Sequence, residues 1–200
     1  MEAVIFDLGN VLLPFNWDIA ADRFCVRTGR SRREVSDYMV TTPFLNDLSL
    51  GHMTKEEYFR IVSRDFEFDG SYEEFAVIWS DIFTTDDEMI ALAAQLKGRL
   101  RRFILSNTSA IHMDFIFERY PFMHTFEGYI LSHEVGLLKP DRRIYEVTLE
   151  RFGLTASETV FIDDILANVE GAEAVGIHGI HHRDARRTRE GLTKLGIAGI

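Results

Sequence analysis

Apolar and polar positions along this chain follow two rhythms. Short continuous apolar runs stand at Ala3-Val4-Ile5-Phe6, Phe103-Ile104-Leu105 and Val160-Phe161-Ile162. A weaker run lies at Tyr129-Ile130-Leu131, and a last one at Gly176-Ile177-His178-Gly179-Ile180. Between them apolar residues recur at intervals of three and four, the period of one helix face. Continuous runs suit strands buried on both faces, and strands alternating with helices predict a parallel sheet covered by helical layers. The fold class is α/β.

Helix starts are marked by side chains that can take the unpaired N–H groups of a first turn. Ser31…Glu34, Thr54…Glu57, Ser71…Glu74, Thr85…Glu88 and Thr155…Glu158 all have capping-box spacing. Gly153 stops a helix that begins near Asp141, with Pro140 in its first turn. Most of the boxes fall between the first and second strands, in an interval with no strand pattern and too long for a plain crossover. It predicts a small helical insertion, residues 15–84, over one end of a core formed by residues 1–14 and 85–200.

The strand ends carry the chemistry. In an open α/β sheet, ligands bind beyond the carboxyl ends of the strands, near the point where strand order reverses. The runs end on Asp7, on Ser106-Asn107 and on Asp163-Asp164, and Lys139 stands at a predicted helix start between the last two. Parallel strands bring these groups into one crevice. Three carboxylates so close raise one another's pKa unless a cation sits among them. All-oxygen ligands with room for water and phosphate oxygens suit Mg²⁺. Lys139 then holds a second negative group or keeps Asp7 ionised, while the Ser106 hydroxyl and nearby N–H groups receive phosphate oxygens.

Bulk composition narrows the partners. Apolar residues make up 46% and charged residues 27%, the balance of a folded globular protein. A net charge of −10 argues against nucleic acid and against an anionic membrane surface. An acidic protein can still bind an anion locally, and the phosphate site read at the strand ends makes a small phosphorylated metabolite the expected partner, with oligomeric state unread. Cys25 is the single cysteine, so no intramolecular disulfide forms. With no leader-like segment before Val4 and no apolar run near the ~18 residues a membrane span needs, the expectation is a cytoplasmic protein.

Four stretches, in order, resemble the signature of the haloacid dehalogenase-like hydrolase superfamily: DLGNV at residues 7–11, LSNTS at 105–109, GLLKPDRRIY at 136–145 and FIDDILANVEGA at 161–172. The resemblance is to a subgroup with this same DLGNV, which includes α-D-glucose-1-phosphate phosphatases and the phosphatase domain of soluble epoxide hydrolases. It implies a Rossmann-like core with an inserted α-helical cap. It also implies that Asp7 attacks phosphorus to form an aspartyl-phosphate, which water then hydrolyses. Ser106 and Asn107 would hold the phosphoryl group, and Lys139 would neutralise it and orient Asp7. Asp7, Asp164 and the Gly9 carbonyl would bind Mg²⁺, with Asp163 acting through a water or from behind the ligands and Asn168 bracing the loop.

Gly9 departs from the commonest pattern of the family, in which a second aspartate here protonates the leaving oxygen. A positioned general acid is worth roughly 10²–10⁴-fold, so poor leaving groups should turn over slowly. Sugar 1-phosphates, acyl phosphates and aryl phosphates leave more easily, and a water or a cap residue could replace the acid. The leading expectation is a Mg²⁺-dependent phosphatase on a small phosphomonoester, with a sugar phosphate among the candidates. One alternative is a metal-independent 2-haloacid dehalogenase, for which the Asp163-Asp164 pair is superfluous. Another is a non-catalytic member that binds a phosphometabolite or a protein, against which intact Asp7, Lys139 and Asp164 argue. A phosphotransferase needs the missing acid more.

Other chemistry-bearing residues have plainer readings. Strand alternation would split His178, His181 and His182 between faces, against a metal cluster. Arg183, Arg186, Arg187 and Arg189 read as a solvated helix face, and Cys25 as a small buried hydrophobe. In the insertion, Phe15, Asn16, Trp17 and Asp18 could line a substrate pocket, with Phe44, Asn46 and His52 facing it from farther along. Asn107-Thr108-Ser109 matches a glycosylation acceptor by accident.

Overall fold

The computed structural model describes the backbone of residues 1–42 and 44–200, with the side chains of all of these except 39–41. Five strands form one parallel sheet: β1 (Ala3–Phe6), β2 (Arg101–Ser106), β3 (Gly128–Leu131), β4 (Thr159–Asp163) and β5 (His178–His181), in spatial order β3-β2-β1-β4-β5. All pairs are parallel, with Phe6 beside Ile104 on one side and Ile162 on the other. The fold is α/β and Rossmann-like. The chain moves outward from β1 to β3, then crosses back to lay β4 against β1, so strand order reverses between the strands that end at Asp7 and Asp163.

Alternate residues of the buried strands face opposite layers. Val4, Phe6, Ile104 and Ile162 pack toward Met89 and Leu92 of α6 (Asp87–Gln95), Ile116 of α7 (Ala110–Arg119) and Leu192 of α11 (Ala185–Lys194). Ala3, Ile5, Phe103 and Phe161 pack toward Ile144 and Tyr145 of α9 (Arg142–Phe152) and Ala172 of α10 (Leu166–Glu173). The short α8 (Ser132–Val135) follows β3 directly.

Among the described residues, five helices stand between β1 and α6: α1 (Trp17–Thr28), α2 (Arg32–Thr41), α3 (Phe44–Ser49), α4 (Lys55–Phe66) and α5 (Tyr72–Ser80). They enclose an aromatic-rich cluster of their own, with Phe24, Tyr58, Phe66, Phe75 and Trp79 buried together. The chain enters and leaves through two antiparallel linkers. Asn16 N–H donates to Ile82 O at 3.1 Å, Thr84 N–H to Pro14 O at 2.8 Å, and Asp86 N–H to Leu12 O at 3.0 Å. Ile111 of α7 joins the same cluster, so the insertion shares packing with the sheet layer.

Several local expectations need correction. Ser31 and Thr54 make complete capping boxes, but Ser71 makes half of one because Glu74 pairs with Arg27 instead. The cap of α6 is Asp86, not Thr85: its carboxylate accepts from Met89 N at 2.9 Å. Thr155 starts only a short 3₁₀ turn and makes no side-chain cap. Asp141 caps α9, which puts Pro140 ahead of the cap rather than in the first turn, and Lys139 in the preceding turn rather than at a helix start. Gly153 ends α9 in the left-handed conformation, φ 60°. β5 begins at His178, two residues later than its apolar run. Cys25 is half-buried against the insertion's cluster.

Candidate active site

Asp7 sits one residue past β1, Ser106 ends β2, and Asp163 ends β4, so parallel register delivers all three to one edge. Lys139 reaches in from the turn before α9. Its Nζ lies 2.7 Å from Asp7 Oδ1, 2.7 Å from Asp163 Oδ2 and 3.0 Å from Leu105 O. Those contacts occupy the three donors of an ammonium. Burial works against the Lys139 charge, but Asp7 and Asp163 outweigh it and hold its pKa above the ordinary value. For Asp7, burial dominates and pushes the carboxyl up to about 6; Lys139 offsets part of this, and Asp163 adds to it.

Asp163 is fully enclosed. Its oxygens accept from Ile165 N–H at 2.8 Å, from Asn168 Nδ2 at 3.0 and 3.1 Å, and from Lys139. Asn168 thus grips Asp163, and Asp163 is committed to holding Lys139. Asp164 is half-buried, receives Asn10 Nδ2 at 3.2 Å, and has its backbone carbonyl held by His181 Nε2 at 2.9 Å. One oxygen each from Asp7, Asp163 and Asp164 lies within 4.8 Å of the others. Three carboxylates against one ammonium leave two negative charges in excess, and the donors are all oxygen. That set fits a hard divalent cation, with Asp7 and Asp164 the carboxylates whose oxygens are not fully spent.

Asn107 lines the cavity with its side chain turned to Lys139. Its Nδ2 donates to Lys139 O at 3.0 Å and its Oδ1 accepts from Lys139 N–H at 2.8 Å. The side chain is a two-point clasp on the lysine's own backbone and is not free to grip a phosphoryl group. Thr108, next in line, is pinned by Ser132 Oγ, which accepts from its N–H at 2.9 Å and donates to its carbonyl at 3.0 Å. The Ser106 hydroxyl lines the cavity.

Gly9 lies in the loop under an aromatic ring. A Cβ there would stand 2.9 Å from Phe15 Cε1 and 3.4 Å from Cδ1, so an aspartate would require Phe15 to move. Asn10 takes φ 53°, a left-handed conformation asparagine tolerates, and links this loop to Asp164. Sequence reasoning did not single out Ser132 or His112, gave Asn10 no role although it stands inside the DLGNV motif, and weighed His181 only with the two other histidines near it.

The groups open on a cavity of about 180 Å³. Asp7, Ser106, Asn107, Lys139 and Asp164 form one end; Phe15, Trp17, Ile82, Phe83, His112 and Ile116 form the opposite wall. Of the insertion residues expected at the pocket, Phe15 and Trp17 line it. Asn16 caps α1, Asp18 pairs with Arg32 at 2.7 Å, Phe44 packs in the insertion's cluster and His52 lies by Asp47. His112 packs edge-on to Trp17 and Phe83 and parallel to Trp79; burial lowers its pKa to about 4. His178, His181 and His182 each bond a different partner, Ser157 O, Asp164 O and Thr188 Oγ1. Arg186 and Arg187 pair with Glu190 and Asp184 on exposed α11. Among the described residues no helix is long and apolar enough to cross a membrane.

Comparison with known proteins agrees with this arrangement. The chain is 28% identical to a sesquiterpene phosphatase of Aspergillus oryzae over 97% of its own length and 96% of that protein's. It is 22% identical to a D-ribitol-5-phosphate phosphatase of Bacteroides thetaiotaomicron, over 98% of each. Its fold matches a HAD family enzyme of Bacteroides thetaiotaomicron crystallised with magnesium and inorganic phosphate, with TM-score 0.81, 22% identity, and 92% of this chain and 94% of that one covered. A family model of haloacid dehalogenase-like hydrolases matches residues 1–176. Strand order, the carboxylates at the strand ends and this match agree: the chain belongs to the haloacid dehalogenase-like hydrolase family and is a hydrolase.

Proposed function

We propose that the protein is a Mg²⁺-dependent phosphatase that hydrolyses a small phosphomonoester through an aspartyl-phosphate on Asp7. The observation that carries this reading is Asp7 itself, a buried carboxylate at a strand tip, 2.7 Å from a lysine that Asp163 holds in place, with a cavity in front. An Asp7 oxygen bonds to phosphorus as the ester P–O bond breaks, and the electron pair stays on the departing oxygen. Water then attacks the acyl phosphate, releasing inorganic phosphate and restoring the carboxylate. Lys139 keeps Asp7 oriented and offers positive charge to the transferring group. Ser106 and the adjoining backbone bind phosphoryl oxygens, and Asn107 serves by fixing Lys139.

Asp7, Asp164 and the Gly9 carbonyl would hold the metal. Bound there, Mg²⁺ supplies charge neutralisation for the phosphoryl oxygens. Asp163 and Asn168 stand behind these ligands. Residues 15–84 act as a cap, joined by the paired linkers at Pro14–Asn16 and Ile82–Thr84. The curated relatives named for phosphatase activity support the reaction class. A metal-independent dehalogenase leaves the excess negative charge around Asp164 without a purpose.

The test is hydrolysis of p-nitrophenyl phosphate, whose aryl group leaves without a proton, so Gly9 does not mask activity. Turnover should require Mg²⁺, stop with EDTA, and fall on the order of 10⁴-fold or more in Asp7→Asn. Equal rates in parent and variant would overturn the assignment of Asp7.

A further inference from the structure

We propose that the leaving group of the substrate is an apolar alcohol, aryl or alkyl, seated on the wall formed by Phe15, Trp17, Ile82, Phe83 and Ile116. The proposal deepens the phosphatase reading and rests on it. Three observations carry it. First, the wall is continuous with Asp7, Ser106 and Lys139 in one cavity, so a leaving group directed into that cavity meets it. Sugar hydroxyls need partners when buried; of the wall's side chains only Trp17, through its indole N–H, and the His112 ring offer any, while Asn10 and Thr108 line the cavity elsewhere.

Second, burial holds the His112 pKa down to about 4, so the ring brings no positive charge to that wall at neutral pH. Ser80 Oγ donates to Ile111 O at 3.2 Å, so the 3.2 Å contact between His112 Nδ1 and Ser80 Oγ places the ring proton on Nδ1. The imidazole lies among Trp17, Trp79 and Phe83 as a flat, uncharged surface. Third, the cavity mouth leaves large apolar side chains in water. Phe15 is 37% exposed and Ile165, also lining the cavity, 53%; Leu166 beside it is 50% exposed. Exposed apolar side chains lining a site suit the approach of an apolar ligand. The same Phe15 ring covers Gly9, so the place of the missing acid and the start of the wall coincide.

The experiment compares cyclohexylmethyl phosphate with glucose 6-phosphate. Both are esters of primary alcohols, so the absence of an acid at Gly9 affects them alike and the ratio reads the wall. We expect kcat/KM to favour the cyclohexylmethyl ester by at least about tenfold, and Phe15→Ser to shrink that ratio. Equal rates, or a preference for the sugar ester, would overturn the proposal. A second arm needs no turnover. Trp17 lines the wall and packs against the second tryptophan, Trp79 of the insertion's cluster, 5.3 Å between ring centres. Their fluorescence should report cyclohexylmethylphosphonate binding at least about tenfold tighter than methylphosphonate. Equal binding of the two overturns the apolar site, whereas preference in binding with no hydrolysis of any ester overturns only the phosphatase reading.

Discussion

At the strand ends, Lys139 and Asp163 have their partners fixed by several bonds. Lys139 bonds Asp7, Asp163 and Leu105 O, its backbone is clasped by Asn107, and Asp163 is gripped in turn by Ile165 N–H and Asn168. The opposite wall of the same cavity has almost no hydrogen bonds to direct it: Phe15, Trp17, Phe83 and His112 meet edge to face and hold position by packing. The contrast divides the labour. Chemistry common to phosphate esters calls for oriented charge on a rigid sheet edge, whereas discrimination among leaving groups calls for a shaped surface that can vary without disturbing that charge.

The largest expected effect breaks the strand-end network. Lys139→Met leaves Asp7 and Asp163 buried without their cation, and breaking a buried pair this way costs about 3–5 kcal/mol. Denaturant unfolding at neutral pH should show that loss, and p-nitrophenyl phosphate turnover should drop by at least about 10²-fold. A Lys139→Met protein as stable as its parent would mean that the network is not where the stability of this edge lies.

A second variant moves chemistry across the boundary between the two ends. Gly9→Asp alone should not speed hydrolysis of alkyl phosphates, because Phe15 occupies the room its side chain needs. Combined with Phe15→Ala, the new carboxyl has space. Relative to Phe15→Ala alone, alkyl phosphate turnover should then rise about 10²-fold, the low end for a general acid, with little change for p-nitrophenyl phosphate. If Gly9→Asp alone gained as much, the Phe15 ring would not be what excludes an acid from this loop.

The strand-end half of the site was readable from the sequence because it depends on which residue follows each buried run. Asp7, Ser106 and Asp163 had to converge once the strands were parallel. Reading failed where two local solutions compete: Asp86 displaces Thr85 as a cap because its carboxylate serves equally well while the chain just before it is held in the linker by Thr84 N–H to Pro14 O. The direction of the Asn107 amide was not legible either: it could face a ligand or a neighbouring backbone, and only the fold decides. The wall was least legible. Trp17 and Trp79 look alike in the sequence, yet Trp17 lines the cavity while Trp79 packs in the insertion's cluster. Which aromatic faces a ligand is set by how the two linkers aim the insertion, and no periodicity records that.

A last prediction, on stability alone, sharpens the contrast by titrating one member of the wall. His112 has its pKa lowered from the ordinary 6.5 to about 4 by burial alone. Between those values the unfolded chain binds a proton that the folded protein refuses, so stability falls as pH falls from 6.5 to about 4, then levels off. At 1.36 kcal/mol for each pH unit, the loss attributable to His112 is about 3 kcal/mol. Asp7, pushed up to about 6, works in the opposite sense: its folded carboxyl takes a proton before the unfolded one, which adds stability as pH falls below 6. The two slopes partly cancel in the parent, so the reading must be a difference. Unfolding free energies of parent and His112→Gln, measured from pH 7 to pH 4, share the Asp7 slope, and subtracting them isolates the histidine. The parent should lose about 3 kcal/mol relative to the variant across that range, whatever constant offset the lost ring contacts introduce. A flat difference would mean that His112 accepts its proton within the folded protein, and a wall able to carry a charge would suit a polar leaving group rather than an apolar one.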